Sequence, residues 1–163
     1  MVMEVNGYKI ARGANLTGGN LRGAHLVKTD LIDANLTGAF LSGADLAGAN
    51  LMNANLESAD LTRAVLANAD VTSANLQNTK ATHADLTHAD LTLADLTGAN
   101  LYGAHLVKAN LTQANLESAD LRGAYLRGAN LTNVNLGSAK MFRANLLGAI
   151  LTGAIMPDGS MHD

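Results

Sequence analysis

The sequence predicts an all-β solenoid, a chain wound into about seven coils of 20 residues, and three observations predict it. From Leu16 to Met156, 29 consecutive pentads run without insertion or deletion, and Leu fills the fifth-residue slot in 25 of them. Ala stands two residues before that slot in 25 pentads, and Asn or Asp stands between the two in 20. The remaining two residues of each pentad are mostly Thr, Ser, Gly and Asn, as in Thr17-Gly18 and Thr132-Asn133. A repeat this regular implies one small unit stacked many times.

A period of five excludes the regular alternatives. A helix turns about 100° per residue, so leucines five apart would spiral around every side. A straight strand alternates sides, so the same leucines would point in and out by turns. A chain that runs extended for three residues and then turns a corner buries all of them. Ala and Leu then face inward and the intervening Asn or Asp faces out. Gly and Asn at the corner suit the positive φ that tight turns need.

Two echoes set the number of sides. Gly23-Ala24-His25-Leu26-Val27-Lys28 recurs at Gly103–Lys108, an offset of 80. Asn55–Leu61 recurs at Asn115–Leu121, an offset of 60. Their largest common divisor is 20, which is four pentads. At the usual strand spacing of ~4.8 Å the rod is expected to be roughly 34 Å long.

The A(D/N)Lxx repeat from Ala14 to Met156 resembles the pentapeptide-repeat proteins, and the chain ends look similar to those of cyanobacterial members. The resemblance implies a right-handed quadrilateral β-helix. The expected organisation is a hairpin-like cap over residues 1–13, the β-helix over 14–156 and a tail over 157–163. Val5-Asn6-Gly7-Tyr8 reads as a hairpin around an Asn-Gly turn, with Val2 to Ile10 folding over the first coil. At the other end Ile150 and Ile155 replace Asn/Asp, and Pro157 is expected to stop pairing. Ala81 takes a leucine slot, and the backbone is expected to tighten or bulge there; a small pocket or a flexible joint is the alternative.

Composition narrows the functional classes. The 163 residues read as one domain with no long apolar run, so no membrane span is expected. The first ten residues lack a basic stretch followed by an apolar segment, so no signal peptide is expected and the expected location is cytoplasmic. Cysteine is absent, which removes thiol chemistry and disulfides.

No catalytic constellation stands out. The Asp residues share their slot with Asn, so an acid–base role is not required of them. His25 and His105 share a phase but lie four coils apart, about 19 Å. His83 and His88 sit at neighbouring corners without a clear third ligand. No enzyme activity, cofactor or metal site is expected.

Charge sorted by face is the main functional signal. The face centred on residues 21, 41 and 61 carries Arg22, Arg63, Lys80, Arg122, Lys140 and Arg143 against Asp60 and Asp120. Phe40, Tyr102 and Phe142 lie on the same face, and these nine basic and aromatic residues form the candidate interaction face. The next face adds Lys28, Lys108 and Arg127 against Asp45 and Asp85. The remaining two faces are acidic, with Asp30, Asp33, Asp70 and Asp90 on one and Glu57, Asp95 and Glu117 on the other. A pI of 5.9 and sparse bases argue against nucleic acid as a ligand. The expected role is a non-catalytic scaffold for a protein partner, with end-to-end self-association as a further expectation. The resemblance adds an alternative: some pentapeptide-repeat proteins are DNA mimics that modulate type II topoisomerases such as DNA gyrase. Those members are strongly acidic and carry a C-terminal dimerisation module; this chain has mild charge and a short tail.

Overall fold

The computed structural model describes residues 3–163. The leucine slots from Leu16 to Leu136 are buried almost without exception, and so are the alanines two residues before them. These side chains form one continuous apolar column. Along that column the backbone pairs with the chain 20 residues away. Parallel bridges run in unbroken sequence from Asn15 with Asn35 to Asn135 with Ile155, one for every pentad. The winding number of four pentads per coil is therefore present in the hydrogen bonding itself.

Each pentad uses its backbone groups in the same way. The Leu16 N–H donates to the Asn35 carbonyl at 2.7 Å, the Gly18 N–H to the Thr37 carbonyl at 2.9 Å, and the Asn35 N–H to the Ala14 carbonyl at 2.9 Å. A fourth bond closes the corner, from the Gly19 N–H to the Leu16 carbonyl at 2.9 Å. Every fifth residue from Gly18 to Gly153 has positive φ, the conformation of the third residue of a type II turn. Glycine meets that demand without strain, but Leu93 at φ 61° also sits there, as do serines, histidines and lysines.

The Asn/Asp position has a backbone role. Asn15 Oδ1 accepts the Thr17 N–H at 3.2 Å, and the same bond recurs at Asn55 (3.0 Å), Asp70 (3.0 Å) and Asn130 (3.1 Å). This N–H, on the residue after Leu, takes no part in the ladder. Either side chain supplies the accepting oxygen, which is why Asn and Asp interchange.

The two ends differ. At the first end β1 (Met3–Val5) pairs antiparallel with β2 (Tyr8–Ile10). Asn6 and Gly7 both have positive φ, as an Asn-Gly hairpin turn requires. Ile10 is buried, Val5 and Tyr8 pack on the core, and Asn6 Nδ2 donates to the Asn20 carbonyl at 2.8 Å. A Cβ on Gly19 would stand 2.9 Å from the Leu16 carbonyl oxygen and in van der Waals contact, at 3.4 Å, with the Tyr8 ring, which lies against this slot. Val2, the first residue expected in this cap, lies outside the described residues.

At the far end, pairing does not stop at Pro157. The Ser138 N–H donates to the Pro157 carbonyl at 3.0 Å, and residues 160–162 fold back so that Met161 bridges Ile155 in antiparallel fashion. The reason is positional. Proline occupies the slot whose N–H normally bonds the Asn/Asp oxygen, not the ladder. Ile155 has no such oxygen, so proline loses nothing. Met141, Leu146, Leu151 and Met156 in this last coil are only partly buried.

Ala81 also departs from expectation. Its N–H donates to the Asn100 carbonyl at 2.8 Å, and Leu61 N–H reaches the Lys80 carbonyl at 2.7 Å. The ladder neither tightens nor bulges there. Thr79 beside it is buried, with its hydroxyl bonded to the Leu76 carbonyl at 2.9 Å.

Candidate functional site

The solenoid fixes where each outward side chain stands. On the basic face, Asn20, Phe40, Asp60, Lys80, Asn100, Asp120 and Lys140 form one bridged column. Residues one and two past the leucine slot form two flanking columns at the corner. This arrangement gathers six of the nine candidate residues into two groups, with Lys140 beside the second, in the bridged column next to Asp120. Arg22 and Phe40 pair near the capped end, with the guanidinium carbon 4.2 Å from the ring centre. Tyr102, Arg122, Phe142 and Arg143 gather near the other end and line a cleft of about 250 Å³. Three coils, about 14 Å, lie between Phe40 and Tyr102. Arg63 and Lys80 occupy the interval.

Within the second group, Arg122 is the hub. Its Nε and Nη2 donate to the two Asp120 carboxylate oxygens at 2.8 and 2.6 Å. That bidentate bond is the main cause that holds the Asp120 carboxyl below its usual range, helped by the Arg122 backbone N–H and by the charge of Lys140. The Arg122 guanidinium carbon also stands 5.8 Å from the Tyr102 ring centre, and that of Arg143 stands 5.1 Å from the Phe142 ring centre. Phe142 is 70% exposed. An aromatic ring this open, flanked by cations, suits contact with an anionic or aromatic surface better than core packing.

Asp60 follows the same logic in a weaker form. Burial pushes its carboxyl up, but the Thr62 hydroxyl and N–H together with the charges of Lys80 and Arg22 outweigh it and leave the group lowered. The carboxylates of this face are thus tied to neighbours, and its cations outnumber them.

Charge counting alone missed a second feature, on the adjoining face. Val107, Lys108, Arg127, Gly128, Leu147 and Gly148 line a groove of about 490 Å³. Leu147 is 67% exposed, in a position that Thr, Ser or Ala fills in about half of the pentads. The signal present in the sequence was Leu147 itself, hidden beside the ordinary slot residue Leu146. On the same face the His105 and Tyr125 rings meet edge to face at 4.8 Å.

The histidines do not converge. His83 stacks edge to face on Tyr102 at 5.7 Å, and His25 lies 3.6 Å from Asp45 on an exposed surface. Among the described residues, no three His, Cys, Asp or Glu side chains are grouped to hold a metal ion. No helix among them is long and apolar enough to cross a membrane.

Comparison with known proteins accords with this geometry. The family model "Pentapeptide repeats" matches in overlapping segments from residue 12 to residue 156. Among solved structures, the chain is similar to HetL from Nostoc sp. strain PCC 7120, described as involved in heterocyst differentiation regulation. The two share 39% identity over 92% of this chain and 77% of HetL, with a TM-score of 0.54. It is also similar to alr5209 from Nostoc, at 46% identity over 52% of this chain and 62% of that one, with a TM-score of 0.41. Comparison with curated proteins finds no match. With the repeat, the 20-residue ladder and the family model in agreement, the chain belongs to the pentapeptide-repeat family.

Proposed function

We propose that this protein is a non-catalytic interaction scaffold, wound as a right-handed quadrilateral β-helix, which presents its basic, aromatic face to a protein partner. The observation that carries this reading is the cluster of Tyr102, Arg122, Phe142 and Arg143. It combines a 70% exposed aromatic ring, three cation–aromatic or ion-pair contacts and a cleft on a stiff surface. Such open aromatic and arginine side chains are the residue types that dominate binding energy at interfaces. The Asn and Asp side chains that recur in each pentad face outward and bond the backbone at the corners.

Tagged wild-type chain is expected to capture a partner from its native cytoplasm, and Arg122→Glu/Arg143→Glu to lose it. Arg22→Glu, at the capped end of the same face, tests whether that end shares the contact. Unchanged capture by the double variant rejects the proposed face. The topoisomerase alternative lacks comparable support. Asp30, Asp70, Asp90 and Asp95 on the acidic faces each spend an oxygen on the backbone N–H two residues on, so they are corner-fixing groups first.

A further inference from the structure

We propose that the groove lined by Val107, Lys108, Arg127 and Leu147 is a docking site for an extended acidic segment of a partner protein. The inference rests on the scaffold reading but concerns a different face from the Arg122 cluster.

The first argument is an internal comparison. The Gly-Ala-His-Leu-Val-Lys echo occurs at 23–28 and again at 103–108. Both copies lay the lysine stem over the glycine one coil further on. A Cβ on Gly48 would meet Lys28 Cγ at 3.3 Å, and one on Gly128 would meet Lys108 Cγ at 3.4 Å. The two copies therefore share backbone and lysine placement. They differ in the residues that the next two coils stack beside them. Beyond the first copy, the positions one past the leucine slot are Ala47 and Ala67; beyond the second they are Arg127 and Leu147. The column facing out beside them also changes, from Asp45 and Val65 to Tyr125 and Asn145. The second copy has gained a cation and an exposed aliphatic group, and has no acid in the equivalent place.

Charge and spacing then define the occupant. Lys108, Arg127 and Leu147 stand on three successive coils, so they step along the rod by about 4.8 Å each. An extended peptide running parallel to the rod places same-side groups about 6.8 Å apart. Two carboxylates at alternate positions, with an aliphatic side chain two residues later, reach the two flexible cations and Leu147. No carboxylate of this chain is bonded to Lys108 or Arg127 among the described residues. Gly128 and Gly148 supply the depth, because neither adds a side chain to the floor. Nucleic acid fits less well, since Val107 and Leu147 offer phosphates nothing.

A fluorescein-labelled peptide with the core Glu-Ser-Glu-Ser-Leu, flanked by Gly-Ser, provides the probe, read by fluorescence anisotropy. Wild-type chain is expected to bind it with an affinity that falls as salt rises. Arg127→Ala/Leu147→Ala, which gives the second copy the residues of the first, is expected to weaken binding at least about tenfold. Both positions are exposed, and an unchanged melting curve verifies the fold. Absence of binding, equal binding of the Gln-Ser-Gln-Ser-Leu peptide, or undiminished binding by the double variant overturns the proposal. So does tighter binding of single-stranded DNA or of vesicles rich in phosphatidylserine. Arg122→Glu/Arg143→Glu is expected to bind the peptide as wild type does, so failure of the groove and failure of the basic face are read separately.

Discussion

Ala81→Leu is expected to stabilise the protein, because the leucine slot at this position is occupied by a methyl group and the surrounding coil has not closed over it. Ala81 is 2% exposed, and its column neighbours Leu61 and Leu101 are equally buried. The inter-coil bonds on either side keep the 2.7–2.8 Å lengths of the regular pentads, so the backbone has not moved inward. In rigid cores the reverse change, Leu→Ala, costs about 2–5 kcal/mol. Side chains around a truncated core position generally relax partway into the space, which leaves an expected gain of about 1–3 kcal/mol. For a chain of this length each kcal/mol moves Tm by about 2–4 °C, so the rise is about 2–12 °C. Thermal melting measured by circular dichroism reads it, with Leu101→Ala as the opposite control. A fall in Tm for Ala81→Leu would refute the reasoning, since it would mean that the side chains of adjacent coils already fill the slot.

Three further outcomes arise from the same geometry. Leu93 holds a left-handed φ of 61° with its side chain 54% exposed, so Leu93→Asn or Leu93→Gly is expected to raise stability by about 0.5–1 kcal/mol in denaturant melts. Asp95 accepts the Thr97 N–H at 3.0 Å, the Thr97 hydroxyl at 2.6 Å and Gln77 Nε2 at 2.6 Å. Burial raises its carboxyl pKa, but these bonds outweigh that and leave it lowered. A depressed carboxylate contributes stability that is complete above its unfolded value of about 3.9 and disappears as pH falls through the lower native value. Asp95→Asn is therefore expected to flatten the loss of stability below about pH 4, whereas Asp95→Ala lowers stability at neutral pH by about 1–2 kcal/mol. Tyr8→Ala removes the ring packed against Gly19, and amide hydrogen exchange is expected to accelerate at Leu16 and Leu21 while Leu96 and Leu101 remain protected.

The coil geometry was legible because burial imposes it. Only an inward slot every fifth residue explains 25 leucines in 29 places, and the echoes at 60 and 80 contain the coil length that the bridges display. The Asn-Gly turn at residues 6 and 7 was legible for a similar reason, since few dipeptides suit two consecutive positive φ values. What escaped was the use of individual backbone groups. Knowing that Pro157 has no N–H does not say whether that N–H belonged to the ladder; only the Asx bond at the preceding pentads shows that it did not. At Ala81 the sequence showed a missing side chain but not whether stacked coils hold the backbone apart. The candidate face was legible as a charge imbalance, yet distance along the rod divides Arg22 and Phe40 from the Arg122 cluster, and no sum over a face contains that distance. Leu147 was invisible as a functional residue because it adjoins a slot where hydrophobic residues are the rule.

The central claim is the register of 20 residues between stacked coils, and cysteine pairing tests it directly in a chain that has no cysteine of its own. The hydroxyl oxygens of Thr62 and Thr82 lie 3.4 Å apart on adjacent coils. Thr62→Cys/Thr82→Cys is expected to form an intramolecular disulfide under mild oxidation, detected as loss of two free thiols and unchanged monomer mass on a non-reducing gel. Thr62→Cys/Gln77→Cys, spaced as a three-sided coil requires, is expected to stay reduced. Cross-linking of the second pair and not the first would contradict the four-sided winding.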